Sequence, residues 1–347
     1  MSELRKDPIT GNWVIIAPER AGRPADFAKR AAEFVRRSEA CPFCPGNEAM
    51  TPPAVMTVPE SSNRDEPGGP AWPAWEVRVF PNKFPALEAI AAGGSVGETG
   101  AGLPVLFERL DGVGVHEVIV ETPDHGATLA TLSLESIENV LRVYQARIRE
   151  LEKDQRIRHV VIFRNHGPEA GATLEHGHSQ LIALPIVPLR VREEVEGARA
   201  YFSSNSRCIY CDIASQEESD GKRLILKNEH FIAVAPYASR FPFEAWLLPR
   251  RHSGRFEDTS ENECGSLAGA LKSTLASLDE VLDRPPYNFI IHSAPFREAP
   301  DESYHWHIEI MPILARVAGF EWGTGIYINP TPPEEAAQAL REIIDLG

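Results

Sequence analysis

Cysteines occur in this chain at spacings that suit metal binding. Cys41 and Cys44 form the motif CPFC, and Cys208 and Cys211 form CIYC. In a reducing compartment, two cysteines separated by two residues belong to metal sites or redox centres more often than to structural disulfides. The fifth cysteine, Cys264, lies within a helical pattern and is expected to be a small core residue.

Histidines in both halves can complete two zinc sites. A structural zinc ion takes four ligands in a tetrahedron, and each cysteine pair supplies two thiolates. Each half adds one histidine at the end of a loop and one on a late strand. The predicted ligands are Cys41, Cys44, His125 and His176, and Cys208, Cys211, His252 and His305. His116 and His230 compete for the loop-end positions, and redox-active cysteines are the alternative. We expect two closed, structural zinc sites per chain.

The sequence EHGHSQ places another histidine close to the predicted zinc ligand His176. Residues two apart on a strand point to the same face of a sheet, so His176 and His178 should be neighbours there. One can bind the metal and fix the local backbone, while the other stays free for covalent chemistry. A neutral imidazole is a good nucleophile when its second nitrogen donates a hydrogen bond that fixes the tautomer. His178 is therefore the candidate nucleophile.

An internal repeat supplies the elements that must position these residues. In each half, the cysteine pair precedes a strand and a histidine-bearing loop. A long helix and two more strands follow, and the last strand carries His-x-His. The first helix should begin after Ser133, and the second opens with the capping box Ser260-x-x-Glu263.

The spacings agree between the two halves. His125 and His176 are 51 residues apart, and His252 and His305 are 53 apart. The cysteine pair precedes the loop-end histidine by 81 residues in the first half and by 41 in the second. Glycine- and proline-rich stretches typical of surface insertions account for the excess. They are Pro59–Pro73 and Ala91–Pro104. Duplication of one ancestral unit explains this pattern.

The repeat predicts an α+β fold with a largely antiparallel sheet. Each half supplies several strands and one long helix, and two such halves side by side could form one continuous sheet. The boundary should lie in PLRVREEVEGARAYFSSNSR, where the pattern turns charged and helical. We therefore predict domains at residues 1–195 and 196–347.

The composition disfavours several classes of protein. A net charge of −15 argues against a nucleic-acid scaffold, including a paired zinc ribbon, because such proteins usually need a basic face. No apolar run is long enough to span a bilayer, and the N-terminal MSELRKDPITGNW lacks the apolar core of a secretory signal. We expect a cytoplasmic protein that binds neither nucleic acid nor membrane. A few local arginines could still hold a phosphate.

Five segments resemble the galactose-1-phosphate uridylyltransferase family, a duplicated branch of the histidine-triad superfamily. They are DPITGNWVIIAPERAGRP, CPFCPGNE, WEVRVFPNKFPAL, NHGPEAGATLEHGHSQ and GFEWGTGIYINPTPPEEAA. The resemblance runs nearly end to end, and the His-x-His-x-Gln core is specific to the branch. It implies a duplicated histidine-triad fold, in which two half-barrels form a largely antiparallel sheet flanked by helices. It also implies a homodimer.

The resemblance implies nucleotidyl transfer through His178. Attack on an α-phosphorus would give a nucleotidyl-histidine and release a sugar phosphate, and a second phosphate would reverse the step. Hydrolytic relatives carry a third histidine where this chain has Gln180. A glutamine cannot protonate a leaving group or activate water strongly, which favours transfer over hydrolysis. The second His-x-His is not expected to be catalytic, because no Gly-x-Thr loop precedes it.

The family's substrate contacts map onto several positions of this chain. The loop Gly171-Ala172-Thr173 is expected to cradle a phosphate with its backbone N–H groups. The implied phosphate contacts are Asn165, Gly171, Thr173 and Gln180, and Ser179, which flanks the phosphate, is expected among the substrate-binding residues. The implied nucleoside contacts are Asn82 and Phe84, and the implied phosphate-binding arginines are Arg20 and Arg23. A solvated loop is the alternative for the arginine pair. Phe320 and Glu321 match a hexose-binding segment that in this family typically reaches into the partner subunit's site.

Two residues depart from the usual uridylyltransferase pattern. The family usually has proline between the two histidines and glycine before the glutamine, where this chain has Gly177 and Ser179. Ser179 resembles the branch that includes ADP-glucose phosphorylase, in which the acceptor is inorganic phosphate. We expect transfer of UMP from UDP-glucose to galactose-1-phosphate, with nucleotide-sugar phosphorolysis as the alternative. A zinc-stabilised binding protein without catalysis is a more distant alternative.

Overall fold

The computed structural model describes residues 2–20, 41–59, 75–90, 109–297 and 302–346. The strands are β1 (Glu3–Lys6), β2 (Trp13–Ile16), β3 (Met56–Val58), β4 (Val77–Pro81), β5 (Glu88–Ala89), β6 (Val113–Val120), β7 (His159–His166), β8 (His178–Leu184), β9 (Leu224–Lys227), β10 (Phe231–Val234), β11 (Ala245–Pro249), β12 (Tyr287–His292), β13 (His307–Pro312) and β14 (Tyr327–Asn329). The α-helices are α1 (Leu134–Glu152), α2 (Leu189–Asn205), α3 (Ile209–Asp220), α4 (Glu261–Leu282), α5 (Gly319–Thr324) and α6 (Pro333–Leu346).

One large sheet runs through both halves of the chain. Its strand order is β3-β4-β6-β8-β7-β12-β13-β11-β10-β9, and β5 pairs with β6 off this path. Every neighbouring pair on the path is antiparallel. The α+β class and the largely antiparallel sheet expected from the sequence are confirmed.

The sheet is symmetric about its centre, where β7 pairs with β12. Moving outwards, β8, β6, β4 and β3 on one side match β13, β11, β10 and β9 on the other. His178 opens β8 and His307 opens β13, so the two His-x-His motifs lie at equivalent places. The duplication read from the sequence is therefore visible as a two-fold arrangement of strands.

The two long helices cover one face of the sheet. Ser133 caps α1 by accepting a hydrogen bond from the Ser136 N–H, and the capping box of Ser260 and Glu263 opens α4. Apolar residues at helical spacing on α1 and α4 pack on alternate residues of the strands in one continuous core. The opposite face of the sheet is left for the histidine and cysteine clusters.

A small second sheet joins the two ends of the chain. β1 and β2 are antiparallel, and β14 lies parallel to β2. The Arg5 guanidinium bonds the Glu334 carboxylate of α6 at 2.9 Å and the Tyr237 carbonyl at 3.1 Å. The N-terminal strands therefore pack with the second half of the chain. The predicted boundary at residue 195 falls within α2.

Two expectations from the sequence, the surface insertions and the lack of a membrane-spanning segment, can be compared only with the residues that the structure describes. The two insertions predicted in the first half fall largely on residues 60–74 and 91–108, outside the described residues. Among the helices that the structure describes, none combines the length and apolar character needed to cross a bilayer.

Candidate active site and metal centres

The first predicted group of metal ligands comes together beside β8. The ligand atoms of Cys41, Cys44, His125 and His176 all lie within 4.8 Å of one another. Cys44 Sγ is 3.2 Å from His125 Nδ1 and 3.5 Å from His176 Nδ1. The other nitrogen of His176, Nε2, donates to the Thr122 carbonyl at 2.7 Å, which orients its ring towards the thiols.

The second predicted group forms an equivalent cluster beside β13. The ligand atoms of Cys208, Cys211, His252 and His305 also lie within 4.8 Å of one another. Cys211 Sγ is 3.4 Å from His252 Nδ1 and 3.5 Å from His305 Nδ1. His305 Nε2 donates to the Pro249 carbonyl at 2.9 Å, the same orienting contact that His176 makes in the first half.

Both clusters fit a tetrahedral zinc ion. Bonds of about 2.0 to 2.3 Å place tetrahedral ligand atoms about 3.3 to 3.8 Å apart, close to the sulfur–nitrogen distances in both groups. Burial, with the nearby Cys41, raises the pKa of the Cys44 thiol to about 12, so a thiolate here needs a bound cation. The competing histidines lie elsewhere, because His116 contacts Gln180 and His230 pairs with Glu229.

His178 is oriented for attack through one nitrogen. Its Nδ1–H donates to the His176 carbonyl at 2.8 Å, which leaves the lone pair on Nε2. Burial lowers the pKa of His178, so the imidazole is neutral near pH 7. The Phe43 ring, from the CPFC turn, packs edge-on against it at 5.2 Å between centroids. The CPFC turn and the segment of His176, just before β8, thus fix the position of His178.

Gln180 and Asn82 lie on the same face of the sheet as His178. The Gln180 Oε1 atom is 2.8 Å from His116 Nε2 and 3.5 Å from the Asn82 amide nitrogen. The side-chain oxygen of Asn82, Oδ1, accepts the Phe84 N–H at 2.9 Å, and the Phe84 side chain is 83% exposed. The structure therefore brings Asn82, Gln180 and His178 to one face, with an exposed aromatic ring at its edge.

Asn165 faces this site from the neighbouring strand. The register of β7 and β8 pairs Phe163 with Gln180, so two residues further along Asn165 is level with His178. Asn288, on β12 of the second half, donates its amide to Asn165 Oδ1 at 2.9 Å and to a loop carbonyl at 2.8 Å. The Asn165 amide nitrogen is left as the donor towards the site, and Gly171 lies beside it.

The expected phosphate cradle is partly corrected by the structure. The Gly171 N–H is donated to the Pro168 carbonyl at 3.0 Å, and the Ala172 N–H to the Gly167 carbonyl at 3.0 Å. These two amides hold the loop in shape, and Gly171 has a φ of +90°, which only glycine adopts without strain. A phosphate at this loop would meet Thr173 and the Asn165 amide rather than a row of free N–H groups.

Ser179 lies on the opposite face of the sheet from His178. Its side chain is fully buried and donates to Glu121, which also pairs with Arg164 at 3.0 Å. The Tyr144 hydroxyl from α1 bonds the same serine, and Arg164 bonds the Tyr287 hydroxyl. This placement gives Ser179 no route to a phosphate. It belongs instead to a buried polar network on the helix-facing side of β8.

The arginine and hexose segments sit near the small sheet. Arg20 ends a short 3-10 helix after β2, and Arg23 lies outside the described residues. Phe320, 45% exposed, and Glu321 are on α5, which packs against β14. The Glu321 carboxylate accepts the Ala318 N–H at 3.1 Å. Phe320 and Glu321 are therefore carried by the second half of the chain, whereas Arg20 and His178 belong to the first.

Sequence reasoning missed three residues of the site. Alternation along β6 puts His116 on the same face as Val118 and Val120, which pair with Gln180 and His178 of β8. That alternation is visible in the sequence and could have identified His116. Phe43 and Asn288 reach the site only through packing, since Asn288 lies 123 residues from Asn165.

The chain resembles known proteins along its whole length. The family described as galactose-1-phosphate uridyl transferase, N-terminal domain, matches residues 1–188, and a domain of unknown function (DUF4921) matches residues 116–345. ADP-glucose phosphorylase of Arabidopsis thaliana is 36% identical over 98% of this chain and 93% of the relative. Galactose-1-phosphate uridylyltransferase of Thermotoga maritima is 30% identical over 99% and 98%.

Solved structures show the same relationship. The crystal structure of Arabidopsis thaliana ADP-glucose phosphorylase with bound ADP-glucose matches with a TM-score of 0.79 and 34% identity, over 99% of this chain and 98% of that one. A uridylyltransferase structure matches with a TM-score of 0.74 and 29% identity, over 100% and 99%. With a family match across more than half of its length and two full-length relatives at 30% identity or more, the chain belongs to the galactose-1-phosphate uridylyltransferase family.

Proposed function

We propose that this protein transfers a nucleoside monophosphate from a nucleotide sugar to a phosphate acceptor through a covalent intermediate on His178. The observation that carries the proposal is the His178 Nδ1–H bond to the His176 carbonyl, which leaves a neutral Nε2 as nucleophile. The adjacent metal cluster contributes His176 itself, so metal binding and the orientation of the nucleophile are joined in one strand.

The reaction has two balanced displacements. The lone pair on His178 Nε2 attacks the α-phosphorus and breaks its bond to the bridging oxygen, which leaves with the sugar phosphate. A phosphate oxygen of the acceptor then attacks the same phosphorus and breaks the phosphorus–nitrogen bond. His178 returns to its neutral form, and its Nδ1–H stays on the His176 carbonyl throughout.

Neighbouring polar groups suit the transferred phosphoryl group. The Asn165 and Gln180 amides can donate to its oxygens, because the carbonyl of each amide already accepts a hydrogen bond from protein. By family resemblance Asn82 and the exposed ring of Phe84 would meet the nucleoside. Gln180, lacking an acidic proton, favours transfer to phosphate over hydrolysis.

The choice of substrates rests on the relatives. Resemblance to the uridylyltransferases favours UDP-glucose with galactose-1-phosphate, and an aromatic ring with a carboxylate at Phe320 and Glu321 supports a hexose acceptor. The higher full-length identity to an ADP-glucose phosphorylase, 36% against 30%, favours ADP-glucose with inorganic phosphate. We therefore propose ADP-glucose phosphorolysis as the first reaction to test and uridylyl transfer as the second.

A direct comparison tests both parts of this proposal. One enzyme preparation is assayed with ADP-glucose plus phosphate and with UDP-glucose plus galactose-1-phosphate, and intact-mass spectra are recorded without acceptor. We expect a higher kcat/KM for the first pair and an adenylylated protein. A uridylylated protein with faster uridylyl transfer would reverse the order of the two reactions. Absence of any adduct with either donor would overturn the covalent mechanism.

We also propose two structural zinc ions per chain. The support is the match of each four-residue cluster to a tetrahedral site, together with the carbonyl that orients His176 or His305. Such sites contribute folding free energy rather than an open coordination position for substrate. Elemental analysis of the purified protein should give two zinc ions per chain, and one or none would contradict the paired assignment.

A homodimer is the proposed assembly. Phe320 and Glu321 are carried by the second half, and by family resemblance this segment reaches into the site of the partner chain. Mixed dimers of a His178→Asn chain and a Glu321→Ala chain should then regain part of the activity lost in each parent. Light scattering that shows a fully active monomer would contradict this assembly.

A further inference from the structure

The amide of Gln180 has to face the phosphate with its nitrogen rather than its oxygen. The two orientations are nearly the same shape, so packing alone does not select one of them. A carbonyl oxygen turned towards a phosphoryl oxygen would repel it, whereas the amide nitrogen would donate a hydrogen bond. Some neighbouring group must therefore hold the Gln180 carbonyl away from the substrate.

His116 is a candidate for that group, because its own tautomer is fixed. The Ala86 N–H donates to His116 Nδ1 at 3.1 Å, so Nδ1 must be an acceptor. In a neutral imidazole the proton is then on Nε2. His116 Nε2 lies 2.8 Å from Gln180 Oε1, where an N–H donor requires an acceptor. The imidazole thus selects the orientation of the Gln180 amide.

Asn82 supports the same orientation from the other side. Its Oδ1 is occupied by the Phe84 N–H at 2.9 Å, so its amide nitrogen is the atom turned towards Gln180 Oε1, at 3.5 Å. The Asn82 amide nitrogen also lies 3.2 Å from His116 Nε2; because His116 Nδ1 is an acceptor and Nε2 carries the proton, this is a contact between two donors that share the Gln180 carbonyl, and the closer of them is His116. The loop of residues 82–86 anchors both donors through its backbone N–H groups.

We propose that His116 is a positioning residue, which fixes the Gln180 amide so that its nitrogen donates to the transferred phosphoryl group. This inference rests on the proposed function, because it assigns Gln180 to the phosphate in the His178 reaction. The loop of residues 82–86 would then connect nucleoside binding to the phosphoryl site. It is the segment expected to meet the nucleoside, and its Ala86 N–H fixes the tautomer of His116.

The kinetic test uses a pair of substitutions at His116. His116→Ala removes the donor and should lower kcat about 10-fold, the loss expected for one hydrogen bond to a charged group, while KM changes by less than about 2-fold. His116→Gln keeps an N–H donor at nearly the position of Nε2 and should retain most of the activity. His230→Ala, at a histidine far along the chain in the second half, is the matched control and should behave as the native enzyme. An equal loss in His116→Ala and His116→Gln would overturn the inference.

A double-mutant cycle separates positioning from a general structural effect. In a Gln180→Ala background the His116→Ala change should have almost no further effect on kcat, because its target is gone. A second full 10-fold loss in that background would show that His116 acts by another route, and the inference would be wrong.

A readout independent of turnover keeps the two proposals distinguishable. In protein labelled with ¹⁵N-glutamine, the Gln180 side-chain amide signal is identified by its loss in Gln180→Ala. It should move in His116→Ala and stay close to its native position in His116→Gln. An unmoved signal in His116→Ala would refute the His116 inference, whereas a native enzyme that forms no nucleotidyl adduct would refute the proposed function.

Discussion

The two halves of this protein carry the same histidine arrangement in very different surroundings. His178 donates its Nδ1–H to the His176 carbonyl at 2.8 Å, and His307 donates its Nδ1–H to the His305 carbonyl at 3.2 Å. Both therefore present Nε2 on the same face of the sheet. His178 is 7% exposed, and His307 is 1% exposed. The difference between them is in what covers the ring.

Helix α2 covers the histidine of the second half. Glu194 of α2 accepts hydrogen bonds from His292 Nδ1 at 3.0 Å and from the Tyr304 hydroxyl at 3.1 Å. The His292 ring stacks on His307 at 4.7 Å, and Trp246 packs at 5.2 Å. Nothing in the described part of the chain covers His178 in this way. The same backbone motif thus carries the proposed nucleophile in one half and a core residue in the other.

The polar residues that surround His178 and His307 also differ between the two halves. Asn165 lies across from His178 on the neighbouring strand, and His292 lies across from His307. Two residues further along the strand, the first half has Gln180 and the second half has Glu309. Neutral amides suit an anionic phosphate, while His292 and two carboxylates form a buried ion network. Burial disfavours a charged His292, but Glu194 and Glu309 outweigh it and raise the pKa of His292 to about 10. The two cysteine–histidine clusters have thus stayed alike in both halves, while the polar residues around His178 and His307 have diverged.

The largest contrast should come from substituting the two equivalent histidines. His178→Asn removes the nucleophile, and we expect transfer to fall by about 10⁴-fold or more, with no adduct in the mass spectrum. His307→Asn should lower the melting temperature but leave kcat/KM of the folded protein within about 2-fold. If His307→Asn abolished transfer while the fold remained intact, the second half would be catalytic and the comparison would fail.

The two metal sites should differ in their effect on activity. Cys44→Ser and Cys211→Ser should each remove one zinc ion per chain and lower thermal stability. Cys44→Ser should also reduce kcat by about 10-fold or more, because His176 then no longer fixes the strand that orients His178. Cys211→Ser should leave kcat nearly unchanged. Both variants are compared by zinc analysis, melting curves and initial rates. Equal losses of activity would contradict the expectation that only the first cluster supports His178.

The buried ion network of the second half should be visible as pH-dependent stability. Glu194→Gln removes one of the two carboxylates that stabilise a charged His292, and it should lower the free energy of unfolding by about 3 kcal/mol at pH 7. Because the folded pKa of His292 is raised, its contribution is complete below its unfolded pKa of about 6.5 and is lost as pH rises through about 10. The gap between native and variant, measured by urea unfolding, should therefore shrink above pH 10. A gap that widened there would rule out a charged His292.

The smallest effect should come from Ser179, on the helix-facing side of the catalytic strand. Ser179→Ala removes a buried hydrogen bond to Glu121 and should cost about 1 kcal/mol of stability. Transfer should stay within about 2-fold of native, because the side chain points away from His178. A large rise in KM for the phosphate acceptor would instead restore Ser179 as a substrate contact.

Much of this architecture was readable from short patterns. Residues close together in the chain define the Cys-x-x-Cys pairs, the His-x-His motifs and the helix signals at Ser133 and Ser260. The alternation that put His176 and His178 on one face also put Ser179 on the other, so that placement could have been predicted. These features are local consequences of backbone geometry, and the structure follows them.

Tertiary structure decided what each copied motif became. The sequence left His116 and His125 as competitors for zinc, and packing assigned one to the metal cluster and the other to Gln180. Asn288 reaches Asn165 from 123 residues away, because β12 of one half pairs with β7 of the other. Local spacing carries no information about such distant partners. The sequence by itself therefore determined two equivalent repeats, each with a predicted metal cluster. Only tertiary packing decided that α2 and His292 of β12 enclose His307, whereas Asn288 of β12 contacts Asn165 beside His178.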